Sequence, residues 1–239
     1  GTAGTAPFGS NLGDSAQVRK ILDDNGAPAS GRSMVIDTAA GANLRTLQQL
    51  TKANEAGSTM TLRDGELLNV HGFSIRESAQ INNATAGTGS GYLVDDAGGL
   101  SAGVTEIPVD TGTGTILAGD IVTIGNHKYV VETALSGGDF TIAAPGLQEA
   151  IADNAAVTVN ADSSRNLAFS SDALTLATRL PVFPSQGDLA IDSEVITDPR
   201  TGISFDLRVY PGDGMVLYRL HALWGWVVNK PEHAAVLLG

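Results

Sequence analysis

The sequence predicts an α+β protein interrupted by a small, barrel-like all-β domain, and three observations lead there. Apolar residues in 1–83 follow helical spacing in some segments and strand spacing in others. Residues 84–164 change texture, with short β-like runs set between glycines and threonines. The same stretch holds ten acids (Asp95, Asp96, Glu106, Asp110, Asp120, Glu132, Asp139, Glu149, Asp153, Asp162) and one base, Lys128. It therefore carries most of the net charge of −12 and reads as a module of its own. The expected organisation is a discontinuous α+β core at 1–83 and 165–239 around an acidic β-rich insertion at 84–164. An insertion is tolerated where its ends meet at a surface, so Asn83 and Arg165 are expected to lie close together.

Element by element, Asp14 followed by Gln17 resembles a capping box, and Val18, Ile21 and Leu22 share one helical face beyond it. Asn25-Gly26 with Pro28 stops that helix. Residues 33–36 read as a short buried strand. Asp37 or Thr38 caps a second helix with Ala40, Leu44 and Leu47 on its inner stripe. A short helix at 62–68 precedes a strand at 72–78. In the insertion, strands are expected at 106–109, 120–124, 128–133, 140–143 and 156–160, with a hairpin turn at Asn126-His127. Beyond it come a strand at 167–169 and a short helix at 172–178. Ile203, Phe205, Leu207 and Val209 alternate with polar residues, as in a half-buried strand. The turn cluster Pro211-Gly212-Asp213-Gly214 leads into a return strand at 216–228, with Arg219 and His221 on its second face. A last strand is expected at 234–238.

A chain of 239 residues is long enough for an ordinary globular core. Its mean hydropathy of +0.06 does not come from a membrane segment, because no apolar run approaches the roughly 20 residues that a spanning helix needs. The absence of Cys excludes disulfides, thiolate metal sites and Cys nucleophiles, and fits a reducing compartment. The acidic balance argues against a surface built to grip phosphates, so no specific nucleic-acid partner is expected. The start Gly1-Thr2-Ala3-Gly4, without Met or signal pattern, reads as a processed or truncated end.

The search for chemistry returns little. His71, His127, His221 and His233 stand at no ligand spacing to one another. His221 reads as a sheet-face residue and His71 as a turn residue. No GxSxG elbow is present, and the Gly-rich runs at 87–91 and 112–114 lack the Lys and helix of a P-loop. Asp95-Asp96 and the acids at 192–198 have no EF-hand spacing and read as solvated faces. The expectation is a non-enzyme with no cofactor and no metal.

Several stretches resemble a known family. They are Phe8-Gly9-Ser10-Asn11-Leu12, Val35-Ile36-Asp37-Thr38-Ala39-Ala40-Gly41-Ala42, Asp64-Gly65-Glu66-Leu67-Leu68 and His71-Gly72-Phe73. Asn166-Leu167-Ala168-Phe169, Ala177-Thr178-Arg179 and the terminal run from Lys230 through Pro231-Glu232-His233 to Leu238 continue the series. Together they resemble the podovirus-type major coat proteins of tailed phages, a branch of the Hong-Kong-97-like capsid fold. The resemblance implies an axial/peripheral capsid core with an added β-barrel. It also implies self-association as hexamers and pentamers into an icosahedral head around DNA, with scaffolding and portal proteins as further partners. Assembly in a bacterial host cytoplasm and residence in the virion follow from the same resemblance. Family members carry an N-terminal arm, an extended loop and a long spine helix before the point where this sequence starts. Expected assembly contacts are the charged rim of the insertion (Asp95, Asp96, Asp120, Asp139) and the loop from Pro184 to Asp188. The insertion would either stabilise its own core or bridge neighbours by charge. The alternative is a phage tail or adhesin-like β-rich binding module.

Overall fold

The structure, a computed structural model, describes residues 1–52, 54, 57, 60–67, 69–183 and 187–239. It is sheet-rich and divides into two compact units, Gly1–Ala173 with Lys230–Gly239, and Leu174–Asn229. The expected core half at 165–239 is thus split, because Leu174–Asn229 forms a unit of its own.

In the first unit, helix α1 (Gly13–Asp24) buries Val18 and Leu22, one face of the predicted stripe. The expected capping box is not formed. The helix starts at Gly13 without a side-chain cap, and Asp14 instead accepts the Phe8 N–H at 3.1 Å from inside the first turn. A carboxylate there still faces the positive end of the helix dipole. Strand β1 (Arg32–Ile36) is followed by α2 (Thr38–Thr46), α3 (Gln48–Thr51), α4 (Met60–Asp64) and strand β2 (Phe73–Glu77). Asp37 caps α2 as expected, accepting the Ala40 N–H at 2.9 Å. Of the expected helix at 62–68, the part to Asp64 is helical and Leu68 lies outside the described residues. Strands β1 and β2 are parallel, and the helices between them supply the crossover that such a pair needs. Strand β10 (Ser163–Ser170) and the terminal strand β16 (Ala234–Leu238) complete the sheet in the order β16-β10-β1-β2. Met34, Ile36, Leu44, Phe73 and Leu237 are the deeply buried centre of its core.

Between β2 and β10 the chain makes the two-residue strand β3 (Asn83–Ala84) and then a closed barrel. Its strands are β4 (Tyr92–Val94), β5 (Glu106–Asp110), β6 (Ile121–Ile124), β7 (His127–Ser136), β8 (Asp139–Ile142) and β9 (Ala156–Val159), closing in the order β4-β5-β8-β7-β6-β9. Val94, Ile107, Val122, Ile124, Phe140 and Ile142 fill the interior, so the barrel has an apolar core distinct from that of the sheet. The hairpin turn falls at Gly125-Asn126, one residue earlier than expected, since His127 already pairs with Ile124. Gly112 is required by packing, because a Cβ there would sit 2.2 Å from the Tyr92 ring.

The ends of the inserted segment meet, with Asn83 paired to Ser164 and Ala84 to Ser163. Asp162 accepts the Ala86 N–H at 2.8 Å, and Lys128 Nζ donates to the Gly1 carbonyl at 2.7 Å. Asp120, expected on the exposed rim, is 2% exposed. Its carboxylate accepts the N–H groups of Gly87 (3.1 and 3.2 Å) and Leu117 (2.7 Å), tying the linker to the barrel. Asp120 is therefore a structural anchor and not a rim contact. The Arg165 guanidinium lies beside it, its pKa lowered chiefly by burial against the opposing pull of Asp120 and Asp162.

In the second unit, residues 172–178 do not form the expected helix. Leu174–Arg179 is strand β11, paired antiparallel with β15 (Leu223–Val228). The run Leu174-Thr175-Leu176-Ala177-Thr178 alternates with period two, and cross-strand pairing decides the outcome over helix propensity. The other strands, β12 (Asp192–Thr197), β13 (Ser204–Pro211) and β14 (Val216–His221), form a three-stranded sheet in that order. The single return strand expected at 216–228 is broken at Ala222, after which the chain leaves β13 for β11.

Replacing Asp120 by Ala would leave two backbone donors without their acceptor and should cost about 2–3 kcal/mol in urea unfolding of the chain. A loss below about 0.5 kcal/mol would show that water replaces the carboxylate at no cost.

Candidate assembly surface

Leu174–Asn229 has almost no interior. Among its described residues the single buried one is Asp206, and no apolar side chain is buried. Sixteen of the twenty large apolar side chains found exposed among the described residues lie in this segment, which locates the anomaly in one unit. Exposed Leu or Val side chains are ordinary when scattered, whereas a contiguous apolar face signals a surface that meets a partner.

The register assigns the faces. In β11–β15, Leu176 stands opposite Trp226 and Thr178 opposite Trp224, with Leu174 opposite Val228 on the same side. Trp224 is 71% exposed, Trp226 68% and Leu176 60%. A two-stranded ribbon with such a face is marginal in water by itself. In the three-stranded sheet, Ile196 faces Phe205, Leu207 faces Leu220 and Val209 faces Tyr218, forming a second, largely apolar face on which β12 also places Asp192 and Glu194. Tyr218, Leu220 and Val216 on that face are exposed.

The opposite face of the three-stranded sheet carries the ionic residues, so Phe205, Leu207 and Val209 alternate with polar residues as expected, but the buried position is on the polar side. Asp206 is the residue hidden there, and Arg208 bridges it at 2.9 Å to Asp188 at 3.0 Å. Tyr210 donates its hydroxyl to Asp188 as well. Phe183 lies under the Arg208 guanidinium, 3.1 Å from carbon to ring centroid, and meets the edge of His221 at 5.4 Å. His221 is on a sheet face as expected, across from Asp206, with its Nε2 buried and without a hydrogen-bond partner. The ion pair and the aromatic stack thus organise one side of the sheet, which also carries Val195 and Leu217, while Phe205, Leu207 and Val209 lie on the other.

The remaining expected contacts fall at different places. Asp95 is exposed, and its N–H donates to the Pro108 carbonyl; Pro108 in turn pairs with Asp139. Asp95 and Asp139 therefore flank Pro108 on the barrel surface. Asp96 is half-buried, accepting the Gly98 N–H at 2.9 Å while its own N–H donates to Asp153 at 3.2 Å. Asp188 is in the ionic cluster of the second unit, and Pro184 lies outside the described residues. Sequence reasoning passed over Trp224, Trp226 and Leu176 as surface residues, although two Trp at alternate positions of a strand were a readable signal. Among the described residues no group of three or more His, Asp or Glu is placed to hold a metal ion, and no helix is long and apolar enough to cross a membrane.

No protein-family profile and no curated protein matches the chain. A solved chain of Mycobacterium phage Che8 is similar. It is 18% identical with a TM-score of 0.42, and the match covers 99% of this chain and 52% of that one. The present chain thus spans about half the length of that phage chain.

Asp188 supplies a pH test. The Tyr210 hydroxyl, followed by Arg208 and the Leu189 N–H, holds its carboxyl below the usual aspartate range. A depressed pKa stabilises the fold fully above the unfolded value of about 3.9, and that contribution disappears as the pH falls through the lower folded value. Acid titration followed through Trp224 and Trp226, the two tryptophans of the chain, should show this loss in the wild type. Asp188→Asn should be less stable at pH 7 and should lack that component of the acid transition. An unchanged acid profile in the variant would contradict the assignment.

Proposed function

We propose that this chain is a structural subunit of a phage icosahedral head, self-associating through hexamers and pentamers into a shell that encloses DNA. The observation that carries this reading is the pair of exposed apolar sheet faces in Leu174–Asn229, a unit without an apolar interior among its described residues. A neighbouring subunit that covers these faces would supply the burial that the unit lacks, and closed symmetry lets identical copies do so for one another. The sequence resemblance to podovirus-type coat proteins supplies the kind of assembly, and with it the scaffolding and portal partners and the virion location. The net charge of −12 suits a wall that holds DNA without gripping its phosphates. On this reading the protein is not an enzyme.

Electron microscopy of the protein expressed alone should show closed shells or open polymers. Trp224→Ser with Trp226→Ser removes two aromatic anchors of the kind that dominate interfaces, each worth about 2 kcal/mol or more, and should abolish particles. The barrel and core should still unfold cooperatively in that variant. Monomers or trimers from the wild type over a range of salt and concentration would contradict the shell reading and favour a tail or adhesin-like binding module.

A further inference from the structure

The chain passes between its two units twice, after Ala173 and after Asn229. The crossings are adjacent. The Lys230 N–H donates to the Ala173 carbonyl at 3.4 Å, and Leu174 stands opposite Val228 where the β11–β15 ribbon begins. Asp172, just before the first crossing, receives His233 Nδ1 at 2.9 Å and lies 3.8 Å from Lys230 Nζ, just after the second. His233 is itself fixed. Its side chain is 9% exposed, its N–H donates to the Lys230 carbonyl, and it ends the 3-10 turn Pro231–His233. Asn25, at the end of α1, donates to the Glu232 carbonyl at 2.9 Å, and β16 then enters the core sheet. Outgoing and returning chain are thus joined by charge at a point anchored on the first unit.

This junction matters because no apolar side chain is buried among the described residues of Leu174–Asn229. A long excursion without a core must recover the entropy of bringing its ends together from contacts at its base. We propose that Asp172, Lys230 and His233 form an ionic clamp that holds the two crossings together and sets how often the β11–β15 ladder opens. The charged groups on neighbouring elements are Asp23 and Asp24 of α1, Arg32 of β1 and Glu232 of the 3-10 turn. Arg32 is engaged with Asp23 at 2.7 Å, which leaves Lys230 as the cation on Asp172 and His233 Nδ1 as its hydrogen-bond partner. The buried Ser170 hydroxyl, and after it His233, keeps the Asp172 carboxyl below its ordinary range and hence ionised at neutral pH. The clamp acts within one chain, whatever covers the apolar faces.

Native-state hydrogen exchange on the whole chain at pH 7 tests this. Asp172→Asn and Lys230→Met should each speed exchange in Leu174–Arg179 and Leu223–Val228 by up to about fivefold, the range open to a part-exposed ion pair. Exchange in β1 and β10 should stay at wild-type rates, and Lys230→Arg should restore the ribbon. Lys230 is half-exposed, so its replacement does not empty the core. Wild-type exchange in the ribbon of both variants would overturn the proposal. Equal acceleration in β1 and β10 would overturn it too, since the three residues would then belong to the core and not to a clamp.

Discussion

Apolar burial is the constraint from which the rest of this structure follows. The core sheet has its cluster around Met34, Ile36 and Phe73, and the barrel has another around Ile107, Val122 and Phe140. Among its described residues Leu174–Asn229 has neither, and an ionic and aromatic cluster lies on one side of its three-stranded sheet. Backbone pairing gives such a unit its shape, but the net stabilisation per hydrogen bond is small because the unfolded chain bonds equally to water. Covering its apolar faces is the remaining source of stability. On the proposed reading, neighbouring subunits would meet that condition by covering these faces.

The barrel is attached to its own core by polar contacts. Strand β3 extends the ladder of β10, Asp162 and Asp120 hold the linker backbone, and Arg165 lies half-buried beside both acids. The Asp120 carboxylate is the buried charge of this junction, and burying a charge is costly unless it is hydrogen-bonded, as Asp120 is to the Gly87 and Leu117 N–H groups. The exposed acids Asp95 and Asp139 stay on the barrel surface.

The parts of the fold that were legible in the sequence are those set by local chemistry. The barrel strands lie between glycines that turn the chain, and Asp37 is followed by a helical stripe, so both could be located without tertiary information. Reading failed where pairing partners decided the outcome. Residues 174–179 suit a helix or a strand, and the choice came from Leu223–Val228 across the ribbon. The alternation at 203–210 named an apolar inner face, whereas the buried residue is Asp206, whose partner Arg208 is in turn stacked on Phe183 from far earlier in the chain. Asp120 looked like a surface acid because the backbone donors it serves at Gly87 are distant in sequence. Of the expected site residues, Asp95, Asp96 and Asp139 mark the barrel surface, and Asp188 helps to order the sheet whose other face is apolar.

Iodide quenching of Trp224 and Trp226 in the dispersed chain and in assembled particles tests the central claim most directly, because both tryptophans lie on the β11–β15 face. The account predicts ready quenching in the dispersed chain and strong protection in particles. Equal quenching in both states would show that assembly leaves this face open, and would contradict its assignment as the subunit interface.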